Sequence, residues 1–159
     1  MRPTNPGLLL RRTGIVGALL LAVALVTACG RPSLPPAAVE DRVATLGVTD
    51  TVLGQGAEAT PGSQVTVHYS GWLYDHTRPD QKGVEFDSSR KHGAPFTFAL
   101  GQRAVIAGWD QGVAGMKVGG QRRLVIPSDL AYGDSGAGGV IPPGATLVFD
   151  VELVDVKAP

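Results

Sequence analysis

The chain has little cysteine, few aromatics, no long apolar run and no net charge, and each shortage excludes something. Its single cysteine is Cys29, so no disulfide can close within it and nothing downstream can act as a thiol nucleophile. The uncharged stretch from Gly14 to Ala28 covers 15 residues, short of the about 20 a membrane-spanning helix needs. The zero net charge hides a split: Arg2, Arg11 and Arg12 precede position 28 with no acid beside them, leaving 11 basic against 14 acidic residues, a net −3, in the remainder. Such a remainder lacks the clustered Lys and Arg that phosphate contacts require, which excludes nucleic acid as the expected partner. The common catalytic constellations are missing too. No serine stands in a G-x-S-x-G elbow, and His68, His76 and His92 lack metal-ligand spacing, so no metal site is expected. Gly133–Gly139 is glycine-rich but is followed by neither Lys-Ser/Thr nor a helical pattern, so it does not read as a phosphate loop. No cofactor is expected.

What is present begins with an address. Met1–Arg12 is basic, Gly14–Ala28 is apolar, and small residues precede a break at Cys29, the order of an export signal. Val26-Thr27-Ala28-Cys29 resembles the bacterial lipobox, in which the cysteine is acylated and becomes the new N-terminus. Residues 1–28 therefore read as a lipoprotein signal peptide and 29–46 as a lipidated N-terminus and flexible tether. The folded domain is expected over 47–159. With Pro32, Pro35 and Pro36 and no sustained periodicity, the tether spans about 20–25 Å as a flexible coil. The expected location is a bacterial membrane, lipid-anchored through Cys29 and facing the periplasm or the cell exterior.

From Gly47 onward the pattern is mostly period two. Val65, Val67 and Tyr69 alternate with Gln64, Thr66 and His68; Leu147, Phe149, Val151 and Leu153 alternate with Val148, Asp150 and Glu152. Leu124 and Ile126 mark another strand, and Phe96–Leu100 a shorter one. Only Val105, Ile106, Trp109, Val113 and Met116 recur at helical spacing, ahead of Gly119-Gly120. Strands joined by turns around a single helix predict an α+β fold, an antiparallel sheet over one short helix.

Aromatic residues gather near the predicted turns: Tyr69, Phe86, Phe96, Trp109, Tyr132 and Phe149. Asp87 places a carboxylate beside Phe86, and Val140-Ile141-Pro142-Pro143 forms an apolar flap after Tyr132. The segments VHYSG (67–71), FDSSR (86–90), PFTFALG (95–101), VIAGWDQGVAGMKVGG (105–120), AYGDSGAGG (131–139) and VIPPGATLVFDVELV (140–154) resemble the FKBP-type peptidyl-prolyl isomerases, in order and without interruption. The resemblance implies a curved antiparallel sheet wrapped around one short helix. It also implies a pocket with Trp109 as floor, Tyr69, Phe86, Phe96, Val105, Ile106 and Phe149 as walls, and Tyr132 and Ile141 at the rim. By the same resemblance the Ile106 amide and Tyr132 hydroxyl bind peptide carbonyls, and Asp87 stands beside the rotating bond. Tyr69, Asp87, Tyr132 and Phe149 are thus the expected catalytic group, the others substrate-binding.

The implied partners are proline-containing polypeptides and macrolides of the tacrolimus and rapamycin type. Three departures from the family pattern stand out. His92 takes the place of a basic residue that pairs with the pocket aspartate, Ala137 replaces a common histidine, and Trp72–Glu85 reads as a long exposed loop. The alternative function is a low-activity chaperone or ligand-binding module of the same fold.

Overall fold

The computed structural model describes residues 34–159; the expected signal segment 1–28 and the expected acylation site Cys29 lie outside the described residues. Six strands and one α-helix follow in order: β1 (Gly47–Val52), β2 (Gln64–Tyr74), β3 (Lys82–Ser88), β4 (Phe96–Ala99), α1 (Ala107–Val113), β5 (Gln121–Ile126) and β6 (Leu147–Lys157). The strands form one sheet in the order β1-β5-β6-β2-β3, with β4 pairing to the other end of β2. Every pairing is antiparallel. This is the expected α+β architecture. Among the described residues no helix is long and apolar enough to cross a membrane.

The period-two pattern explains which face is covered. Val65, Val67, Leu124, Ile126, Leu147, Phe149, Val151 and Leu153 are all buried, and Trp109, Val113 and Met116 from the helical region close over them. Burying such aliphatic and aromatic side chains contributes about 1.5–3 kcal/mol each. The helix is shorter than the spacing predicts, because Ile106 is extended at φ −60°, ψ 148° and Ala114 leaves the helix at ψ 137°. Its interior glycines, unfavourable by propensity, are where it meets β5: a Cβ on Gly108 would lie 2.3 Å from Ile126, and one on Gly112 2.6 Å from Leu124. At its C-terminal end the Arg122 guanidinium donates to the Gly112 and Ala114 carbonyls at 2.8 and 3.1 Å. A cation there satisfies orphan carbonyls and complements the helix dipole. The same guanidinium grips Asp50 on β1 with two nitrogens, at 2.6 and 3.0 Å.

Two expectations change. Half of the stretch Trp72–Glu85 is strand: β2 runs to Tyr74 and β3 starts at Lys82, leaving residues 75–81 as the connection. Irregular pairing conceals this in the sequence, since the register shifts between Gly71 and Trp72 and again before Tyr74. Lys82 also covers the outer face, with its ammonium 4.1 Å from the Trp72 ring centroid and paired to Asp150. The second change concerns the tether. Residues 37–46 lie against the domain: Ala37 and Leu46 pack on the core, Val39–Asp41 forms a 3-10 turn, and the Val43 amide donates to Thr146 Oγ1 at 3.1 Å. The ordered body therefore begins before Gly47, for backbone hydrogen bonds that no periodicity announces.

Candidate active site

On the covered face the elements enclose an open cavity of about 240 Å³, lined by Tyr69, Phe86, Asp87, Phe96, Ala104, Val105, Ile106, Trp109, Tyr132 and Phe149. Tyr69 comes from β2, Phe96 from the start of β4, Trp109 from α1 and Phe149 from β6. Phe86 and Asp87 are neighbours on β3 and would ordinarily face opposite sides of the sheet. A bulge resolves this: Gly71 pairs with Asp87 and Trp72 with Glu85, leaving Phe86 as the extra residue. An inserted residue re-aims side chains locally, so ring and carboxylate both reach the cavity. Gly71 is needed opposite them, because a Cβ there would stand 2.7 Å from both Phe86 and Phe149.

The rings pack edge to face around Trp109, which is 4% exposed. Its centroid lies 5.1 Å from Tyr69 at 84° and 5.3 Å from Phe149 at 88°. Phe86 meets Phe149 at 5.6 Å and 86°, and Phe98 backs Trp109 at 5.6 Å. Such arrangements set the positive edge of one ring on the negative face of another. The buried indole N–H of Trp109 has no acceptor among the described residues.

One side of the cavity is charged. Asp87 accepts from the Tyr69 hydroxyl at 2.6 Å on Oδ2 and from the Ser88 amide at 2.8 Å on Oδ1. His92 Nε2 lies 2.7 Å from the same Oδ1, an ion pair whenever the imidazole is protonated. Burial pushes the Asp87 carboxyl up, but the bonds from Tyr69, His92 and the Ser88 amide outweigh it and hold the group below its ordinary 3.8. Tyr69 is driven well above the usual tyrosine range, first by burial and then by the carboxylate it serves. Burial and the charge of Asp87 likewise raise Tyr132. The site thus holds a fixed anion and two neutral phenols at the edge of an apolar cleft.

The cavity gathers the sequence-predicted residues, with one exception. Phe96 and Tyr132 lie at its mouth, 41% and 40% exposed. Among the described residues the Ile106 N–H meets no backbone carbonyl. Ile141 does not line the cavity; at 6% exposure it belongs to the core. There it exchanges two backbone bonds with Ala137, at 3.0 and 2.9 Å, pinning the flap from beneath. The apolar residue of the flap points inward because the flap needs an attachment of its own. Ala104 is a lining residue that the sequence does not signal, since an alanine in a loop has no pattern. Outside the cavity, Asp41, Asp75 and His76 place ligand atoms within 4.8 Å of one another. Hydrogen bonds already join Asp41 to His76 and occupy Asp75 with Thr77 and Arg78.

The family model for FKBP-type peptidyl-prolyl cis-trans isomerases matches residues 55–154. An FK506-binding protein of Neisseria meningitidis serogroup A is 51% identical over 112 residues, 70% of this chain and 96% of the relative. The peptidyl-prolyl cis-trans isomerase FPR2 of Saccharomyces cerevisiae is 58% identical over 101 residues, covering 64% of this chain and 70% of its own length. Among solved structures, AtFKBP13 superposes with a TM-score of 0.61 at 41% identity, over 70% of this chain and 93% of that one. FkpA from Escherichia coli does so with 0.60 at 44% identity over 71% of this chain, which spans only 48% of that longer protein. The family match over residues 55–154, together with a relative 51% identical across 96% of its length, places the chain, with its aromatic cavity, in the family of FKBP-type peptidyl-prolyl cis-trans isomerases.

Proposed function

We propose that the domain accelerates rotation about X–Pro peptide bonds in proteins folding outside the cytoplasm, held at a bacterial membrane by a lipid on Cys29. The observation that carries the catalytic half is the cavity itself, apolar on its floor and walls with one fixed carboxylate. Rotating an amide breaks no covalent bond; it crosses a resonance barrier of about 18–20 kcal/mol. Resonance places negative charge on the carbonyl oxygen, where water stabilises it. A proline ring seated on Trp109 brings its amide among rings that exclude that water, which favours the less polar twisted state. The Ile106 amide and Tyr132 hydroxyl hold flanking carbonyls, and the pre-set orientation lowers the entropic part of the barrier. Asp87, locked by Tyr69, Ser88 and His92, supplies a fixed dipole beside the bond. Each ~1.4 kcal/mol removed gives about tenfold in rate, against an uncatalysed time of about 10–100 s.

The test is a proline-limited refolding reaction with the chain from residue 30 onward, with and without rapamycin. Acceleration that rapamycin abolishes, together with a raised melting temperature on binding it, is expected. A folded domain that neither accelerates the proline step nor shifts with rapamycin overturns the reading in favour of the chaperone or ligand-binding alternative. The anchoring half is supported by Val26-Thr27-Ala28-Cys29 and by the absence of any other cysteine. Labelled fatty acid should enter the expressed wild-type chain and not Cys29→Ser; equal labelling of both would sink it.

A further inference from the structure

We propose that the segment Ala37–Arg42 is a strap that positions the Tyr132-bearing flap, residues 131–144, and so sets how tightly the cavity holds its peptide. The inference rests on the isomerase reading of that cavity. The strap stands outside the region 55–154 that matches the family model. Its contacts converge on the flap's return to β6. The Ala37 amide donates to the Pro143 carbonyl at 3.0 Å. Arg42 folds back to donate to the Ala37 carbonyl at 3.3 Å, and its guanidinium covers Gly144 so closely that a Cβ there would meet Nη2 at 2.7 Å. Val43 is moored to the buried Thr146 hydroxyl at 3.1 Å. At its far side, Asp41 Oδ1 accepts from the His76 amide at 3.0 Å and lies 2.8 Å from His76 Nδ1. The strap therefore ties the 75–81 connection to the flap.

The flap needs such a hold. Gly133, Gly136, Gly138, Gly139 and Gly144 all sit at positive φ, and glycine loses the most conformational freedom when ordered. Inside the flap, the Gly144 amide donates to the Gly133 carbonyl at 2.9 Å. Gly133 directly follows Tyr132, so a push on Gly144 reaches the backbone of the rim tyrosine through one hydrogen bond. Arg42 and Ala37 are positioning residues in this scheme; neither lines the cavity.

The experiment compares the full chain with Arg42→Ala and, separately, Ala37→Pro, which removes the amide donor while fixing φ and serves if the first variant fails to fold. Hydrogen exchange of the Gly144 amide, read by NMR, is expected to speed up about threefold to tenfold, the loss of one ordinary hydrogen bond. KM for a prolyl peptide should rise, and kcat/KM fall by a similar factor, as the hold of the rim tyrosine on the substrate carbonyl loosens. Unchanged exchange and KM in both variants overturn the strap. So does exchange that rises equally across β2 and β6, which would make the segment a general stabiliser. A wild-type chain without isomerase activity whose Gly144 exchange still responds removes the isomerase reading and leaves the strap's hold on the flap standing.

Discussion

The Tyr69 hydroxyl and the Asp87 carboxylate meet at 2.6 Å across adjacent strands, and the contact joins an aromatic wall of the cavity to the one carboxylate that lines it among the described residues. It exists because Asp87 pairs with Gly71, two residues along from Tyr69 on the same face of β2. Tyr69→Phe should therefore let the Asp87 carboxyl rise toward its ordinary value and lower kcat/KM about threefold to tenfold, a loss of ~1 kcal/mol. NMR titration of Asp87 and a refolding assay check both; no change in either would show that the hydroxyl is a bystander.

Acid should act on the same group. Asp87 is held below 3.8 in the folded chain, so its contribution is complete above that value and is lost as pH falls through the lowered folded value. Activity limited by this group should be flat from about pH 5 upward as far as Asp87 is concerned and fall below pH 4. A decline already under way at pH 6 that persists in His92→Gln would place the controlling group elsewhere.

The Asp41–His76 latch has a window with two sides. The hydrogen bond to Asp41 raises His76 above 6.5, aided by the charges of Asp41, Asp75 and Glu40, so its contribution is full below 6.5 and fades as pH climbs through the raised value. Bonds from the His76 backbone and ring lower Asp41 below 3.8, so its part is full above 3.8 and fades on acidification. The excess melting temperature of wild type over Asp41→Asn should be largest between about pH 4 and 6.5. An excess that keeps growing above pH 8 would contradict the pairing.

Glycine in the helix offers a test of sign. By propensity alone Gly108→Ala should stabilise α1 by about 1 kcal/mol. With Ile126 only 2.3 Å from the new methyl and itself fully buried, overpacking of about 1–3 kcal/mol should win instead. Denaturant unfolding of Gly108→Ala and Gly112→Ala decides it; stabilisation of either would mean that α1 can lift from β5.

Aromatic substitutions should separate stability from function. Phe149, expected from the family resemblance in the catalytic group, is 4% exposed and touches Tyr69, Phe86 and Trp109. Its truncation should cost about 3–5 kcal/mol of stability, as should Trp109→Ala. Tyr132→Phe, at the open rim, should leave stability within about 0.5 kcal/mol and weaken peptide binding. A marked loss of stability in Tyr132→Phe would show that the hydroxyl has a structural partner.

The sequence by itself determined the strands of β2, β5 and β6, because alternation of side chains is a local property that follows from the pleat. It also determined the single helix, the family, and the residue types of an aromatic cavity, all carried by ordered blocks of neighbouring residues. What only the tertiary structure decided are relations between distant segments. The bulge at Phe86 exists only in the register between β2 and β3, and it alone explains how Phe86 and Asp87 share one cavity. The inward turn of Ile141 and the true start of β3 depend on which partners those segments find. The strap was legible least of all: Ala37–Arg42 has no period, and what orders it are hydrogen bonds to Pro143 and His76, more than thirty residues away along the chain. Periodicity records the face an element buries, whereas such contacts are fixed by geometry after the chain has closed on itself.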